Sequence, residues 1–375
     1  MRIRLNLMSL SNNDLLHTLA LLRIEGVGAV MAKKLINHCG SAAAVFKEKP
    51  QNLAKIDGIG SYLLKNLKNT IAFSQAETEM EFIAQQKIKP LFYQSEDYPN
   101  KLKHCYDSPV LLFQSGNYDN QNLRIISIVG TRNITSYGAQ FCKELIANIA
   151  PLNPIIVSGF AYGADICAHQ AALEHNLETV GVLAHGFNQI YPKAHKKYVA
   201  AMEQSGGFLT EFWSNAGPER ENFVMRNRIV AGMSEATIVI ESAERGGSLI
   251  TANMANDYNR DVFALPGRVS DKFSQGCNNL IRSQKANLIT SAADLLYLLN
   301  WKIEEKPTVI QKQLFVELSA EEQMVYDFLF KNGKEQMDLI ALQCNLPIYK
   351  LSSLLLNLEL KGVIRPLPGK VFEAI

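Results

Sequence analysis

Apolar residues recur at helical spacing through residues 13–85, at Leu15, Leu16, Leu19 and Leu22 and again at Leu63, Leu64, Leu67 and Ile71, so this stretch is predicted to be helical. Two short turns interrupt it, Ile24-Glu25-Gly26-Val27-Gly28 and Ile56-Asp57-Gly58-Ile59-Gly60. Both read apolar-acid-Gly-apolar-Gly, and each precedes a helix carrying lysines, Lys33 and Lys34 in one and Lys65 and Lys68 in the other. Residues 86–123 contain Lys89-Pro90-Leu91-Phe92-Tyr93 and Pro109-Val110-Leu111-Leu112-Phe113, read as two short strands that join the helical region to the centre of the chain.

Past residue 124 the period changes. Short apolar runs at 125–129, 155–157, 179–183, 208–210, 237–240 and 262–265, with a last one at 287–289, alternate with helical patterns at 137–150, 164–175, 196–204, 222–233 and 249–258. Near-continuous apolar strands separated by helices predict an α/β fold, a doubly wound parallel sheet. Residues 301–316 are charged, contain Pro307 and lack periodicity, as a linker does. Helices are then predicted at 319–331, 337–344 and 348–361, followed by a hairpin of 362–365 with 370–372 around Pro368-Gly369. The resulting division is 1–88, 89–300, a linker at 301–316, and 317–375.

Composition adds limits. A chain of 375 residues, 47% hydrophobic and 20% charged, folds, and into more than one domain. Net charge is only +2; residues 1–90 carry +5, whereas residues 100–300 balance 17 basic against 17 acidic residues. A polyanion site in the centre must therefore be a local patch. The six cysteines, Cys39, Cys105, Cys142, Cys167, Cys277 and Cys344, form no C-x-x-C and no zinc spacing with the seven histidines, as expected of reduced thiols in the cytosol. Ser9, Ser11, Asn12, Asn13 and Asp14 interrupt any apolar run at the N-terminus, and no run of about 18 apolar residues occurs, so a cytoplasmic protein without membrane insertion is expected.

Ligands of a doubly wound sheet bind beyond the carboxyl ends of its strands. Gly130-Thr131-Arg132 follows the first strand of the alternating region. After the second comes Ser158-Gly159-Phe160-Ala161-Tyr162-Gly163-Ala164-Asp165, a small-residue turn entering an Ala-rich helix, where backbone N–H groups can meet an anion. Lys193 lies in a basic loop after the third strand, Arg226-Asn227-Arg228 near the start of a later helix, and Gly246-Gly247-Ser248 before another. Four cations, Arg132, Lys193, Arg226 and Arg228, are thus expected to converge around residues 158–163 on an anion. No G-x-G-x-x-G, P-loop, G-x-S-x-G elbow or metal cluster is present, so no cofactor, metal or catalytic residue is assigned. Asp165, Glu211 and Glu241 read as helix caps or partners of the arginines, with acid–base roles the less favoured alternative.

Gly130-Thr131-Arg132, Ser158-Gly159-x-Ala161-x-Gly163-x-Asp165, Tyr191-Pro192, Arg226-Asn227-Arg228-Ile229-Val230-x-Gly232-x-Ser234, Gly247-Ser248-Leu249-Ile250-Thr251-Ala252, Val262–Gly267 and Gly276-x-Asn278-x-Leu280-Ile281 resemble, in order and spacing, the DNA-processing family DprA/Smf. The resemblance is specific over residues 97–295. It implies an extended Rossmann-like core, with helix-hairpin-helix-like turns before it and a winged-helix-like unit after it. It also implies a recombination mediator, not an enzyme, that binds and protects incoming single-stranded DNA during natural transformation and helps to load RecA. Homodimers and a DNA groove holding Gly130, Thr131, Arg132, Ser158, Gly159, Gly163, Lys193, Arg226, Asn227, Arg228, Gly247 and Ser248 are implied in the same way. Thr131 replaces the family's usual Ser, Tyr162 a common Arg, and Ala184-His185-Gly186 its Gly-x-Gly. Whether the glycine hairpins touch DNA or only pack helices stays open. The third helix of the C-terminal unit offers only Lys350 and Lys361, too few cations for a base-reading helix, which leaves protein docking as its alternative. The rival for the centre is a nucleotide-cleaving phosphoribohydrolase of related fold, echoed only in part by Glu241 with Gly246-Gly247-Ser248.

Overall fold

A computed structural model describes residues 10–118, 124–302, 318–367 and 369–375. The chain divides into two compact units between residues 303 and 304. Most of the expected linker at 301–316, together with Ser9 and Pro368, lies outside the described residues.

In the larger unit the first helix, Asn12–Arg23, starts where Ser11 Oγ accepts the Asp14 N–H at 3.1 Å. The hairpins before Ala29–Cys39 and Ser61–Asn66 share one geometry. Gly26 and Gly58 both sit at φ 89°, and Gly28 and Gly60 are extended N-caps without a side-chain partner. The helix Ile71–Gln85 then leads into the sheet.

Nine strands make that sheet: β1 (Lys89–Phe92), β2 (Leu111–Gly116), β3 (Ile125–Val129), β4 (Ile155–Ser158), β5 (Thr179–Val182), β6 (Gly206–Thr210), β7 (Ala236–Val239), β8 (Asp261–Ala264) and β9 (Asn287–Leu288). Their order is β1-β2-β6-β5-β4-β3-β7-β8-β9. Neighbours from β6 to β9 are parallel, whereas β2 runs antiparallel to both β1 and β6. The two early strands are therefore an extension of the central sheet.

Alternation within the strands explains their unbroken apolar character. Ile125, Val129, Ile155 and Val157 face one layer, with the helices Arg220–Met233 and Gly247–Asp257 and the N-terminal helices. Ile126, Ile128 and Ile156 face the other, with Ser136–Ile149 and Ala164–Glu174. Elements that escape the sequence pattern include the short helix Asn100–Lys103 and two later helices. Gln275–Arg282 is only eight residues long, half of them polar, and Ala292–Leu298 only seven, although Ser291 and Asp294 form a capping box at its start.

The smaller unit packs the helices Ala320–Asn332, Met337–Gln343 and Ile348–Leu360 around Val325, Leu329, Leu351, Leu355 and Leu358. Its sheet is antiparallel, ordered β10 (Glu335–Gln336), β12 (Val371–Ala374), β11 (Ile364–Leu367), so the expected hairpin gains a third, two-residue strand. Among the described residues no single helix is long and apolar enough to cross a membrane.

Glu79, buried on the helix Ile71–Gln85, fastens the N-terminal helices to the loop after β6. Its carboxylate accepts the Ser214 N–H at 2.8 Å and the Ser214 hydroxyl at 2.6 Å. Glu79→Ala strands both donors and is expected to cost about 2–3 kcal/mol in urea unfolding. Glu79→Gln, which keeps one acceptor, is expected to cost less; equal stability of all three proteins would show that this tether carries no weight.

Candidate nucleic-acid interface

Strand order reverses at β3, whose neighbours β4 and β7 lead to opposite sides of the sheet. A crevice is expected there. A cavity of about 620 Å³ occupies it, walled by residues after β3, β4 and β7 and by the helix Arg220–Met233. Eight of the anticipated residues line it: Gly130, Thr131, Arg132, Gly159, Arg226, Asn227, Gly247 and Ser248.

Arg226 forms its floor. The side chain is 5% exposed and donates through Nη1 to the Val182 carbonyl at the end of β5. Asp165 supplies the opposing charge and also accepts the Ala161 N–H at 3.2 Å. Burial pushes the Asp165 carboxyl up from its ordinary value against the pull of Arg226, and the same burial lowers Arg226. Arg226 Nε has no hydrogen-bond partner among the described residues, which leaves a buried donor at the cavity wall. Gly159 lies against both groups, and a Cβ there would collide with Asp165 Oδ2 and Arg226 Nη1.

The rim is cationic and aromatic. Arg132 is exposed and lies over Phe223, 5.3 Å from the ring centroid, and Phe223 meets Tyr191 edge-on at 5.9 Å. Arg220 and Arg245 also line the cavity, and neither stands out in the sequence. Their signal is position: Arg220 is the first residue of its helix, and Arg245 directly precedes the Gly246-Gly247 helix start. At that start a Cβ on Gly247 would have nothing within 4 Å, so the N-terminus of Gly247–Asp257 opens freely into the cavity. Four guanidinium groups and a helix N-terminus face one carboxylate, so the cavity suits phosphate.

Other anticipated residues serve the fold instead. Ser158 is fully buried, with Oγ donating to the Ile128 carbonyl at 2.5 Å. Gly163, at φ 77°, takes the backbone of Thr131 and Arg132 against its own, where a Cβ would clash. The Ala164 N–H is spent on the Thr131 carbonyl at 3.1 Å. The turn after β4 therefore braces the β3 loop, and the open helix start belongs to Gly247–Asp257. Arg228, two residues from Arg226, projects away from the cavity: it is buried, ion-paired with Glu211, and donates to the Asp107 carbonyl. Lys193 is exposed on the short Lys193–His195 turn and does not line the cavity. The expected convergence of four cations thus holds for Arg132 and Arg226 only.

All three carboxylates singled out in the sequence are engaged. Asp165 faces Arg226, Glu211 pairs with Arg228, and Glu241 accepts the Thr135 N–H at 2.8 Å and the Thr135 hydroxyl at 2.5 Å, at the cap of Ser136–Ile149. Among the described residues no group of three His, Cys, Asp or Glu side chains could hold a metal ion.

Residues 89–300 match the family described as DNA recombination-mediator protein A, residues 313–370 the DprA winged helix domain, and residues 18–72 a SAM-like helix-hairpin-helix tandem. Protein Smf of Synechocystis is 32% identical over 294 residues, spanning 76% of this chain and 73% of that protein. DNA processing protein DprA of Bacillus subtilis is 40% identical over 212 residues, 56% of this chain and 71% of that one. Among solved structures, DprA of Streptococcus pneumoniae superposes with a TM-score of 0.64 at 30% identity, covering 77% of this chain and 98% of the other. DNA processing protein A of Helicobacter pylori, solved for its single-stranded DNA binding mode, gives a TM-score of 0.51 at 28% identity, covering 57% and 96%.

Beneath the turn after β4, His169 is fully buried, with Nε2 2.6 Å from the Gly159 carbonyl and Nδ1 2.7 Å from Thr179 Oγ1. Burial lowers its pKa to about 4, so the ring is neutral; Nε2 donates to the Gly159 carbonyl, and Nδ1 stands beside Thr179, whose hydroxyl donates to the Ile156 carbonyl at 3.0 Å. The unfolded chain takes up a proton near the ordinary value of about 6.5, and the folded one only near 4. This contribution to stability is therefore complete above pH 6.5 and lost as pH falls from there towards 4, with a slope of at most about 1.4 kcal/mol per pH unit. His169→Asn is expected to flatten the acid limb of a urea-midpoint profile between pH 7 and pH 4. Parallel profiles for the two proteins would assign the acid sensitivity elsewhere.

Proposed function

The chain belongs to the DNA recombination-mediator protein A (DprA/Smf) family, and from that premise we propose that it binds single-stranded DNA at the carboxyl edge of its parallel sheet. One observation carries the reading: at the switch point, Arg132, Arg220, Arg226 and Arg245 surround a cavity into which the helix Gly247–Asp257 opens its N-terminus. Guanidinium groups and backbone N–H groups hold phosphates without reading bases. Phe223 and Tyr191 at the rim offer faces on which any base can stack. The single-strand binding of the Helicobacter pylori relative supports the same assignment.

In this reading the protein protects incoming strands during natural transformation and helps to load the RecA recombinase on them, in the cytoplasm and as a homodimer. Gly130, Thr131, Arg132, Gly159, Arg226, Asn227, Gly247 and Ser248 form the groove with Arg220 and Arg245, and Lys193 serves a strand that leaves it. Ser158, Gly163 and Arg228 support the groove from beneath. The protein does no chemistry on the strand. A phosphoribohydrolase would need a carboxylate aimed into the cavity, and Glu241 is held by Thr135 at the cap of Ser136–Ile149 and does not line it.

The winged-helix unit takes little part in this binding. Lys350 pairs with Glu321, Lys361 with Glu322 at 2.7 Å, Lys334 with Glu373 at 3.6 Å, and Arg365 also with Glu373. A phosphate would have to compete with each of these partners.

Two measurements test the assignment. Each phosphate contact to a single strand adds about 0.7 to the slope of log K against log salt. Arg132→Ala with Arg245→Ala is expected to weaken oligothymidylate binding and lower that slope by about 1.4, without sequence dependence, while circular dichroism stays unchanged. Equal affinity and slope would move the DNA site off this edge. Truncation before Leu318 is expected to change single-strand affinity by less than about ten-fold, or roughly 1.4 kcal/mol. A larger loss in a folded remainder would place strand contacts in the winged helix.

A further inference from the structure

A second cavity, of about 960 Å³, lies between the first glycine hairpin and the sheet domain. It shares a wall with the phosphate cavity. On the helix Arg220–Met233, Arg220 faces the first cavity, Val224 lines both, and Met225 and Arg228 line the second. The opposite wall comes from Val30 and Gly28 at the start of Ala29–Cys39, and Trp213 closes one end.

Three apolar side chains of its lining stand open to water. Val30, Val224 and Met225 are 42%, 41% and 46% exposed, an unusual set of side chains to leave in water along one groove. Its charges do not ask for a cation or a basic peptide. Asp107 accepts the Tyr258 hydroxyl at 2.6 Å, and Glu211 is paired with Arg228. The cations stand at the border: Arg23 lies over the Trp213 ring at 5.2 Å, and Lys34 is only loosely held by Asp57 at 3.4 Å. An apolar floor with cations at its edge, continuous with a phosphate site, matches one kind of occupant. Bases of a single strand cover the floor while its phosphates stay at the rim.

We propose that a single strand leaving the phosphate cavity crosses Val224 and lays its next bases in this groove, against Met225, Val30 and the Trp213 end. The inference rests on the assignment of single-strand binding to the phosphate cavity. It gives the hairpin region a part in holding the strand through apolar contact with bases.

Length dependence separates the two sites. Trp213 and Trp301 are the two tryptophans, and Trp301 is buried against other residues of the core. In full-length Trp301→Phe protein, fluorescence therefore reports on the groove. An oligothymidylate of about 16 nucleotides is expected to quench Trp213, and one of about four to bind without quenching, lengths that bracket the site sizes of single-strand-binding OB folds. Met225→Glu with Val30→Glu is expected to weaken the long strand by about ten-fold and leave the short one unchanged. Arg132→Ala is expected to weaken both. If Arg132→Ala weakens both lengths while the groove substitutions alter neither and Trp213 is silent, the groove proposal is overturned and the phosphate site stands. If Arg132→Ala has no effect at either length, the phosphate site itself is wrong. If the groove substitutions instead change only self-association in sedimentation, the groove belongs to a second copy of the chain and the proposal is overturned.

Discussion

Burying a guanidinium at the edge of an apolar sheet is costly unless its charge and its donors are met. Arg226 imposes that constraint here. Asp165 answers the charge from the helix after β4, and the Val182 carbonyl answers a donor from the end of β5. Gly159 must stay bare to admit both groups. One residue of the helix Arg220–Met233 thereby fixes the relative positions of two strand ends and of the cavity between them. The Nε keeps no partner among the described residues, so the constraint is met for the charge and for Nη1 but not for every donor.

Much of this was legible in the chain. Central strands buried on both faces must read as unbroken apolar runs, so the parallel sheet and its order of strand and helix were plain from Ile125 onward. The edge that carries the site came from topology alone. Boundaries were less plain. Gly206 and Gly207 lack strand propensity, yet both pair with Thr179 and Val180 on one side and belong to β6. The helix Gln275–Arg282 buries Gly276, Cys277 and Leu280 on one face, but eight residues are too few for a repeating period to stand out in the sequence.

The division of labour within the site was not legible. Arg226 and Arg228 look equivalent in sequence. Two residues advance a helix by about 200°, so when one points into the cavity the other points away. Which of them does so depends on Glu211 and Asp107, and Asp107 lies far off in the chain. The turn after β4 misled for a related reason. Its glycines announce a close approach, but the approaching group is the Thr131–Arg132 backbone, and nothing local distinguishes a neighbouring loop from a ligand. Arg220 and Arg245 carry no signal of their own, because an arginine beside a helix start is ordinary until the fold gathers several around one cavity.

The antiparallel pairing of β2 with β6 has a consequence for synthesis. Phe113 must wait for Thr210, and Gly116 for Gly207, so roughly ninety residues separate one edge of β2 from its partner. The contact order of that pair is high, and pairing of this kind is slow to form. A nascent chain that has reached β5 but not β6 holds β2 with its far edge bare, an edge open to other chains. A ribosomal pause that holds β6 inside the exit tunnel would therefore expose the growing protein to aggregation more than a pause after β6 has emerged.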